Sequence, residues 1–129
     1  MDPTTRQVVP QRANQRCEYC LLPESALDVA FHVEHIMARQ HGGADDLENR
    51  ALACDRCDLS KGPNLSGIDQ QTGQIVPLFH SRLQHWQEHF RRRSATIYGL
   101  TPTGLATVRL LQMNSASRRQ LLAELERSE

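Results

Sequence analysis

The four cysteines of this 129-residue chain form two C-x-x-C pairs, CEYC at residues 17–20 and CDRC at residues 54–57. A C-x-x-C turn brings both sulfurs to one side, so two such turns can offer four soft ligands to one tetrahedral zinc ion. Because four protein ligands leave no open coordination position, the zinc would be structural. The spacing therefore predicts a zinc ion that clamps the 33 residues between the pairs.

Two other uses of the cysteines remain open at this point. A redox C-x-x-C would need no second copy, and four buried thiols could also be unrelated to one another. A disulfide framework is disfavoured because the opening residues MDPTTRQVVPQR are too polar for a secretory signal. No apolar run reaches the roughly 18 to 20 residues that a bilayer span needs. We therefore expect a cytoplasmic protein with no membrane contact.

Charge is balanced in total but unevenly distributed along the chain. There are 15 basic and 15 acidic residues, and 39% hydrophobic content fits one ordinary globular domain. Between residues 80 and 119, however, seven arginines stand against a single acid, and Arg91, Arg92 and Arg93 are consecutive. An isolated run of arginines is usually solvated surface. Because the first half of the chain is net acidic, we expect this run to bind the phosphates of a polyanion.

The residues between the cysteine pairs predict two strands joined by a loop. Apolar and polar residues alternate from Leu27 to Val33, which is typical of a half-buried strand, and the polar face brings His32 and Glu34 to one side. The segment HGGADD at residues 41–46 predicts a loop, and ENRALAC at residues 48–54 a short second strand.

A helix is predicted next, within CDRCDLSKG at residues 54–62. It begins in the second cysteine pair and ends at Gly62, and it places Asp58 and Lys61 on one face because they are three residues apart. Farther along, Thr101 and Pro102 predict the start of another helix, and SRRQLLAELERSE predicts a closing one.

The order of C-x-x-C, HVEHI, Gly-Gly, Asn49 and CDRCDLSKG resembles the HNH endonuclease family in its zinc-stapled form. The resemblance covers about residues 16–63. It implies an α+β fold with a treble-clef-like ββα-metal core, in which two strands and a helix hold one divalent cation against the scissile phosphate. Residues 64–129 would add a C-terminal hairpin and helices that pack on this core, so that residues 1–129 form one domain. The implied partner is DNA, and the implied reaction is hydrolysis of its phosphodiester bonds.

Site residues carry over from the family by position. His35 corresponds to the general base, and Asn49 to the middle residue that holds the loop and, through it, the base. Glu34 and Asp58 correspond to the ligands of the catalytic cation, and two carboxylates favour Mg²⁺ or Mn²⁺. Since neighbouring strand residues point to opposite faces, we expect the strand to end or bulge where Glu34 meets His35.

The roles of other polar residues are less constrained. His32 could be a third ligand, a phosphate contact or a hydrogen-bonded structural residue, and Lys61 could bind a phosphate or lie on the helix surface. We also assign Arg91, Arg92 and Arg93 to the DNA backbone.

A non-catalytic zinc module that binds nucleic acid or protein is the main alternative to an enzyme. A redox or metal-storage protein is a third reading. His35, Asn49 and the two acids favour the nuclease, because neither alternative would use that set.

Overall fold

A computed structural model describes residues 1–128, and the chain divides into two compact units, Met1–Pro63 and Asn64–Glu129. The elements of the first unit are α1 (Pro3–Arg12), β1 (His32–His35), β2 (Arg50–Ala53) and α2 (Asp55–Lys61). Those of the second unit are β3 (Ser66–Ile68), β4 (Ile75–Pro77), α3 (Trp86–His89), β5 (Phe90–Arg93), β6 (Thr96–Gly99), α4 (Pro102–Leu110) and α5 (Ala116–Arg127). Helices mixed with small sheets confirm the α+β class. The packing of the extension on the core, in one domain, stays a prediction.

The first unit is built around the antiparallel pair β1 and β2. His32 lies opposite Ala53 and His35 opposite Arg50, and the register is regular between them. The strand predicted from Leu27 begins only at His32, since residues 24–26 form a short 3-10 turn and residues 27–30 pair with no strand. A strand needs a partner, and β2 offers only four residues. The alternation of apolar and polar residues also failed to predict which side chains are buried, because Val29 is 55% exposed.

The predicted helix after β2 is confirmed as α2. It begins directly after Cys54 and ends at Gly62, whose φ of 52° is in the range that glycine adopts without strain. The two strands and this helix therefore follow one another as ββα.

The first helix is anchored on this ββα unit by Arg12. Its guanidinium donates to the carbonyl of Leu47 at 3.0 Å and to that of Arg50 at 2.8 Å. Desolvation by burial lowers the pKa of Arg12. The side chain of Asp2 caps the other end of α1 by accepting from the backbone N–H of Thr5 at 2.8 Å.

The second unit contains the antiparallel pairs β3 with β4 and β5 with β6. Helix α4 packs closely on β6, since a Cβ at Gly99, the last residue of β6, would lie 2.4 Å from the backbone nitrogen of Leu105 in α4. Thr101 caps α4 by accepting from the N–H of Gly104 at 3.0 Å, as its sequence predicts. In residues 1–128, no helix has both the length and the apolar character that crossing a bilayer requires. The cytoplasmic location stays a prediction.

Candidate zinc site and active site

The four cysteines converge as their spacing predicts. Cys17, Cys20, Cys54 and Cys57 are all buried, and their sulfurs lie within 4.8 Å of one another. Cys20 Sγ and Cys54 Sγ are 3.8 Å apart and no cysteine is in a disulfide. Four thiolates about 2.3 Å from a tetrahedral zinc ion would themselves be about 3.8 Å apart, whereas a disulfide would need about 2.05 Å. The four cysteines can therefore hold a structural metal such as zinc.

The protonation of these thiols also fits a cation. Burial, and then hydrogen bonds with neighbouring cysteines, hold the pKa of the Cys17 thiol well above its usual value. Hydrogen bonds from the three neighbours lower the pKa of Cys54 instead. A zinc ion that replaced their protons would let all four sulfurs ionise.

Three of the predicted site residues meet on one side of β1. His32 Nδ1 is hydrogen-bonded to Asp58 Oδ2, and Glu34, two residues along the strand, contacts the same Asp58 side chain. Glu34 is only 8% exposed, whereas the His32 side chain is 48% exposed. The cluster thus places a buried carboxyl beside a more accessible histidine and aspartate.

Glu34 is held by a residue that the sequence did not single out. The hydroxyl of Tyr19 donates to Glu34 Oε1 at 2.6 Å. Burial, followed by the charge of Glu34, raises the pKa of Tyr19 well above its usual value, so the phenol keeps its proton and remains the donor. Tyr19 lies inside the first C-x-x-C pair, and it is the only side chain there with a buried hydroxyl. The zinc site and the Glu34 cluster therefore share a structural element.

Burial dominates the ionisation of Glu34. Its pKa is raised to about 8 in total: desolvation is the largest cause, the charge of Lys61 lowers the pKa, and the hydrogen bond with Asp58 raises it. Two carboxyls in contact need either a shared proton or a cation between them. The donor set of Glu34, Asp58 and His32 is thus chemically suited to a hard divalent cation. The described residues nonetheless hold only one preformed group of three or more close metal-binding side chains, namely the cysteines.

Lys61 is an internal residue in the fold. It is 2% exposed, and its ammonium donates to the carbonyl of Ile36 at 2.8 Å. This contact holds α2 to the residue that follows β1. A direct phosphate contact by Lys61 stays a prediction, since substrate would have to reach a buried ammonium.

His35 points to the other face of β1. The strand does not bulge at Glu34. It ends at His35, which is still paired with Arg50, so Glu34 and His35 lie on opposite faces of β1 and the expected change of face between them does not occur. His35 Nε2 is 2.7 Å from Asp45 Oδ1, and its side chain is 21% exposed. Asp45 lies in the loop ten residues away, and no sequence pattern linked the two. The only sequence signal for Asp45 is its position as the first acid after Gly42 and Gly43.

Asn49 fastens the loop between the strands. Its Oδ1 accepts from the N–H of Met37 at 2.9 Å, and its Nδ2 donates to the carbonyls of Met37 at 2.9 Å and Ala44 at 2.8 Å. The loop is tight there, because a Cβ at Gly43 would lie 1.8 Å from the carbonyl oxygen of Met37. This geometry agrees with a loop-holding role for Asn49.

The three arginines lie on the β5–β6 hairpin of the second unit. Arg91 and Arg93 are exposed on the face that carries Tyr98, whereas Arg92 is opposite the buried Ile97. Arg92 Nε donates to the carbonyl of Ser94 at 2.9 Å, and its Nη2 is 3.5 Å from Glu126. Arg91 and Arg93 are therefore exposed to solvent, whereas Arg92 between them is hydrogen-bonded within the second unit.

Comparison with known proteins bears on the first unit. No curated protein and no solved structure gives a significant match to the chain. The family described as HNH endonuclease matches residues 17–64. The matched segment contains both cysteine pairs, His35 and Asn49. The resemblance to the HNH endonuclease family noted in the sequence is therefore confirmed by a family match over residues 17–64.

Proposed function

We propose that this protein is a metal-dependent endonuclease that hydrolyses phosphodiester bonds of DNA, with one divalent cation and His35 as the general base. The observation that carries the proposal is the HNH match over residues 17–64. The ββα order, with one cysteine pair before β1 and the other at the start of α2, supports a treble-clef-like ββα-metal core. A scaffold that only bound a partner would have no use for the half-exposed His32 next to the buried carboxyl of Glu34.

The proposed cation site consists of Glu34 and Asp58, with His32 as a further donor. A divalent cation, when bound, would stabilise negative charge on the phosphate and on the leaving oxygen. Carboxylate ligands favour Mg²⁺ or Mn²⁺ for this purpose. Glu34 is kept in place by Tyr19, and Asp58 by His32, so both acids are oriented by hydrogen bonds.

His35 would take the proton of the attacking water. As the water oxygen forms its bond to phosphorus, the proton passes to the free ring nitrogen of His35 and the bond from phosphorus to the leaving oxygen breaks. The leaving oxygen takes a proton from solvent, and His35 later returns its own. An imidazole is suited to this because its ordinary pKa of about 6.5 leaves it largely unprotonated at neutral pH. Asn49 would contribute indirectly, by holding the loop that follows His35.

A plasmid-cleavage assay tests the proposal. Zinc-loaded protein, checked for fold by circular dichroism, is incubated with supercoiled DNA in Mg²⁺, in Mn²⁺ or in chelator. We expect nicked or linear product with at least one metal and none with chelator. Folded protein that binds DNA but cuts it in neither metal would favour the non-catalytic binding module instead.

Removing the proposed ligands should weaken the response to metal. We expect Glu34→Gln and Asp58→Ala to raise the Mg²⁺ or Mn²⁺ concentration for half-maximal cleavage by at least about tenfold. Glu34→Gln is a suitable change because burial already favours the uncharged form of this side chain. The measurement is cleavage rate against metal concentration. Glu48→Gln, at an exposed position of the same unit, is the control. If the metal response of both variants equals that of the control, neither acid is a ligand.

The β5–β6 hairpin is the proposed contact to the DNA backbone. Strand alternation puts Arg91 and Arg93 on one face, together with the half-exposed Tyr98. Their guanidinium groups can each bind a phosphate without reading base sequence. Arg92 contributes less to this surface because Glu126 and Ser94 engage it.

The hairpin proposal distinguishes the three arginines. We expect Arg91→Ala combined with Arg93→Ala to weaken binding of unrelated DNA sequences alike. The slope of log K against log salt should become shallower by about 0.9 per lost contact, or about 1.8 for two. Arg92→Ala removes one charge from the same strand and should change the slope by less than half as much as the double variant, which removes two. Fluorescence anisotropy over a salt series measures both. An effect of Arg92→Ala that is half that of the double variant or larger would contradict a specific outward face.

A further inference from the structure

The loop between β1 and β2 brings an unassigned carboxylate to His35. Asp45 Oδ1 lies 2.7 Å from His35 Nε2 and 3.0 Å from Arg39 Nε, and Arg50 Nη2 approaches it to 3.8 Å. The three groups come from the end of β1, the turn that follows it and the start of β2. A single exposed carboxylate oxygen thus collects donors from three separate segments.

Asp45 is exposed, yet its backbone position is fixed. It directly follows Ala44, whose carbonyl accepts from Asn49 Nδ2 at 2.8 Å. Two residues before Asp45, the backbone of Gly43 is packed so closely on Met37 that a side chain would not fit. The side chain of Asp45 is therefore presented to His35 from a constrained loop, and this contact does not depend on a freely moving segment.

The chemistry of the contact determines which ring nitrogen carries the proton. An ionised carboxylate can only accept hydrogen bonds, so His35 Nε2 must be the donor. Asp45 accepts hydrogen bonds from His35 and Arg39, and these bonds lower the pKa of the Asp45 carboxyl, the one from His35 most. The carboxylate therefore stays ionised at neutral pH. In neutral imidazole, a proton on Nε2 leaves the lone pair on Nδ1. Asp45 thus selects the tautomer in which Nδ1 is the base.

We propose that Asp45 is a positioning residue for His35, which fixes the orientation and tautomer of the ring and stabilises the imidazolium that forms when His35 takes a proton. The inference rests on the proposed nuclease function and adds a residue to it. Carboxylates that orient a catalytic histidine act in this way in other hydrolases. Arg39 and Arg50 would in turn hold the carboxylate in place.

The alternative is that Asp45 occupies the place of a substrate phosphate, since Arg39, Arg50 and His35 could all bind one. The two possibilities predict opposite changes. If Asp45 positions His35, its removal lowers kcat with little change in KM. If it blocks a phosphate site, its removal lowers KM and raises activity at low substrate.

The experiment is a double-mutant cycle measured by single-turnover and steady-state cleavage. We expect Asp45→Ala to lower kcat by about 10- to 100-fold, and to have no further effect when His35→Ala is already present. Asp46→Asn, at the exposed neighbouring acid, is the control and should retain wild-type kcat. An effect of Asp45→Ala that is equally large without His35 would indicate a general structural role and overturn the proposal. A lowered KM with raised activity would also overturn it.

A second readout does not depend on cleavage. In ¹⁵N spectra of the histidine side chains at a pH where His35 is neutral, we expect the shifts of protonated Nε2 and bare Nδ1 in the wild type. Asp45→Ala should bring the two shifts closer as both tautomers become populated. Unchanged shifts contradict the contact. Wild-type protein that folds but never cuts DNA contradicts the proposed function, whereas wild-type cleavage with unchanged activity of Asp45→Ala contradicts the role of Asp45 alone.

Discussion

Replacing Cys54 with serine is expected to release the zinc and to unfold the first unit. Cys54 is fully buried, and it also begins α2, so a lost ligand there affects both the metal and the helix. Structural zinc contributes roughly 10 to 16 kcal/mol in small domains, which is as much as the whole stability of a typical domain, about 5 to 15 kcal/mol. Elemental analysis should give one zinc per wild-type chain and none in Cys54→Ser, with loss of the circular dichroism signal of the unit.

Asp58→Ala is the matched control for this prediction, since it changes a site residue next to Cys57 and leaves all four sulfurs. It should keep its zinc and its fold while losing response to Mg²⁺ or Mn²⁺. Wild-type protein that is folded but contains no zinc would remove the structural role of the cysteines.

Replacing His35 with alanine should lower cleavage by at least about a hundredfold, because a positioned general base contributes on the order of 10² to 10⁴ in rate. Fold, zinc content and DNA affinity should stay near those of the wild type, since the His35 side chain is part-exposed and its partner Asp45 lies on the surface. Cleavage rates at saturating metal, beside anisotropy for binding, measure the two properties separately.

His41→Ala provides the control, because His41 is an exposed histidine of the same loop. It should cut DNA at close to the wild-type rate. If His35→Ala does so too, the base lies elsewhere, and His32 is the next histidine to replace.

Local spacing predicted the parts of the fold that a few neighbouring residues determine. The cysteine pairs, α2 and the capped start of α4 are of this kind, since a ligand spacing or a cap acts over three or four residues. The strand predicted from Leu27 is shorter than expected and begins at His32, because a strand depends on a distant partner and β2 has only four residues. Alternation in one segment carries no information about the length of the other.

The candidate site likewise contains residues that the sequence order predicts and contacts that depend on distant parts of the chain. His35, Asn49, Glu34 and Asp58 were assigned to the candidate site through their order in the sequence, and their roles stay predictions; all four lie within the segment that the HNH family matches. The contact between Asp45 and His35 could not be predicted, because it depends on the path of the loop that Asn49 and Gly43 constrain. Tyr19 was missed for a similar reason. Its hydroxyl reaches Glu34 only after the first cysteine turn has folded against β1.

The hydrogen bond from Tyr19 to Glu34 has a consequence for how the protein matures. Tyr19 lies in the turn that the proposed zinc ion would close, so we expect a newly made chain without zinc to lack the ordered hydroxyl that holds Glu34. We therefore expect an obligatory loading order, with zinc first and the hydrolytic cation second. Apo protein given Mn²⁺ alone should show no specific Mn²⁺ binding by paramagnetic resonance, and addition of zinc should create it. The proposed nuclease, if loaded in this order, would stay inert until its folding is complete.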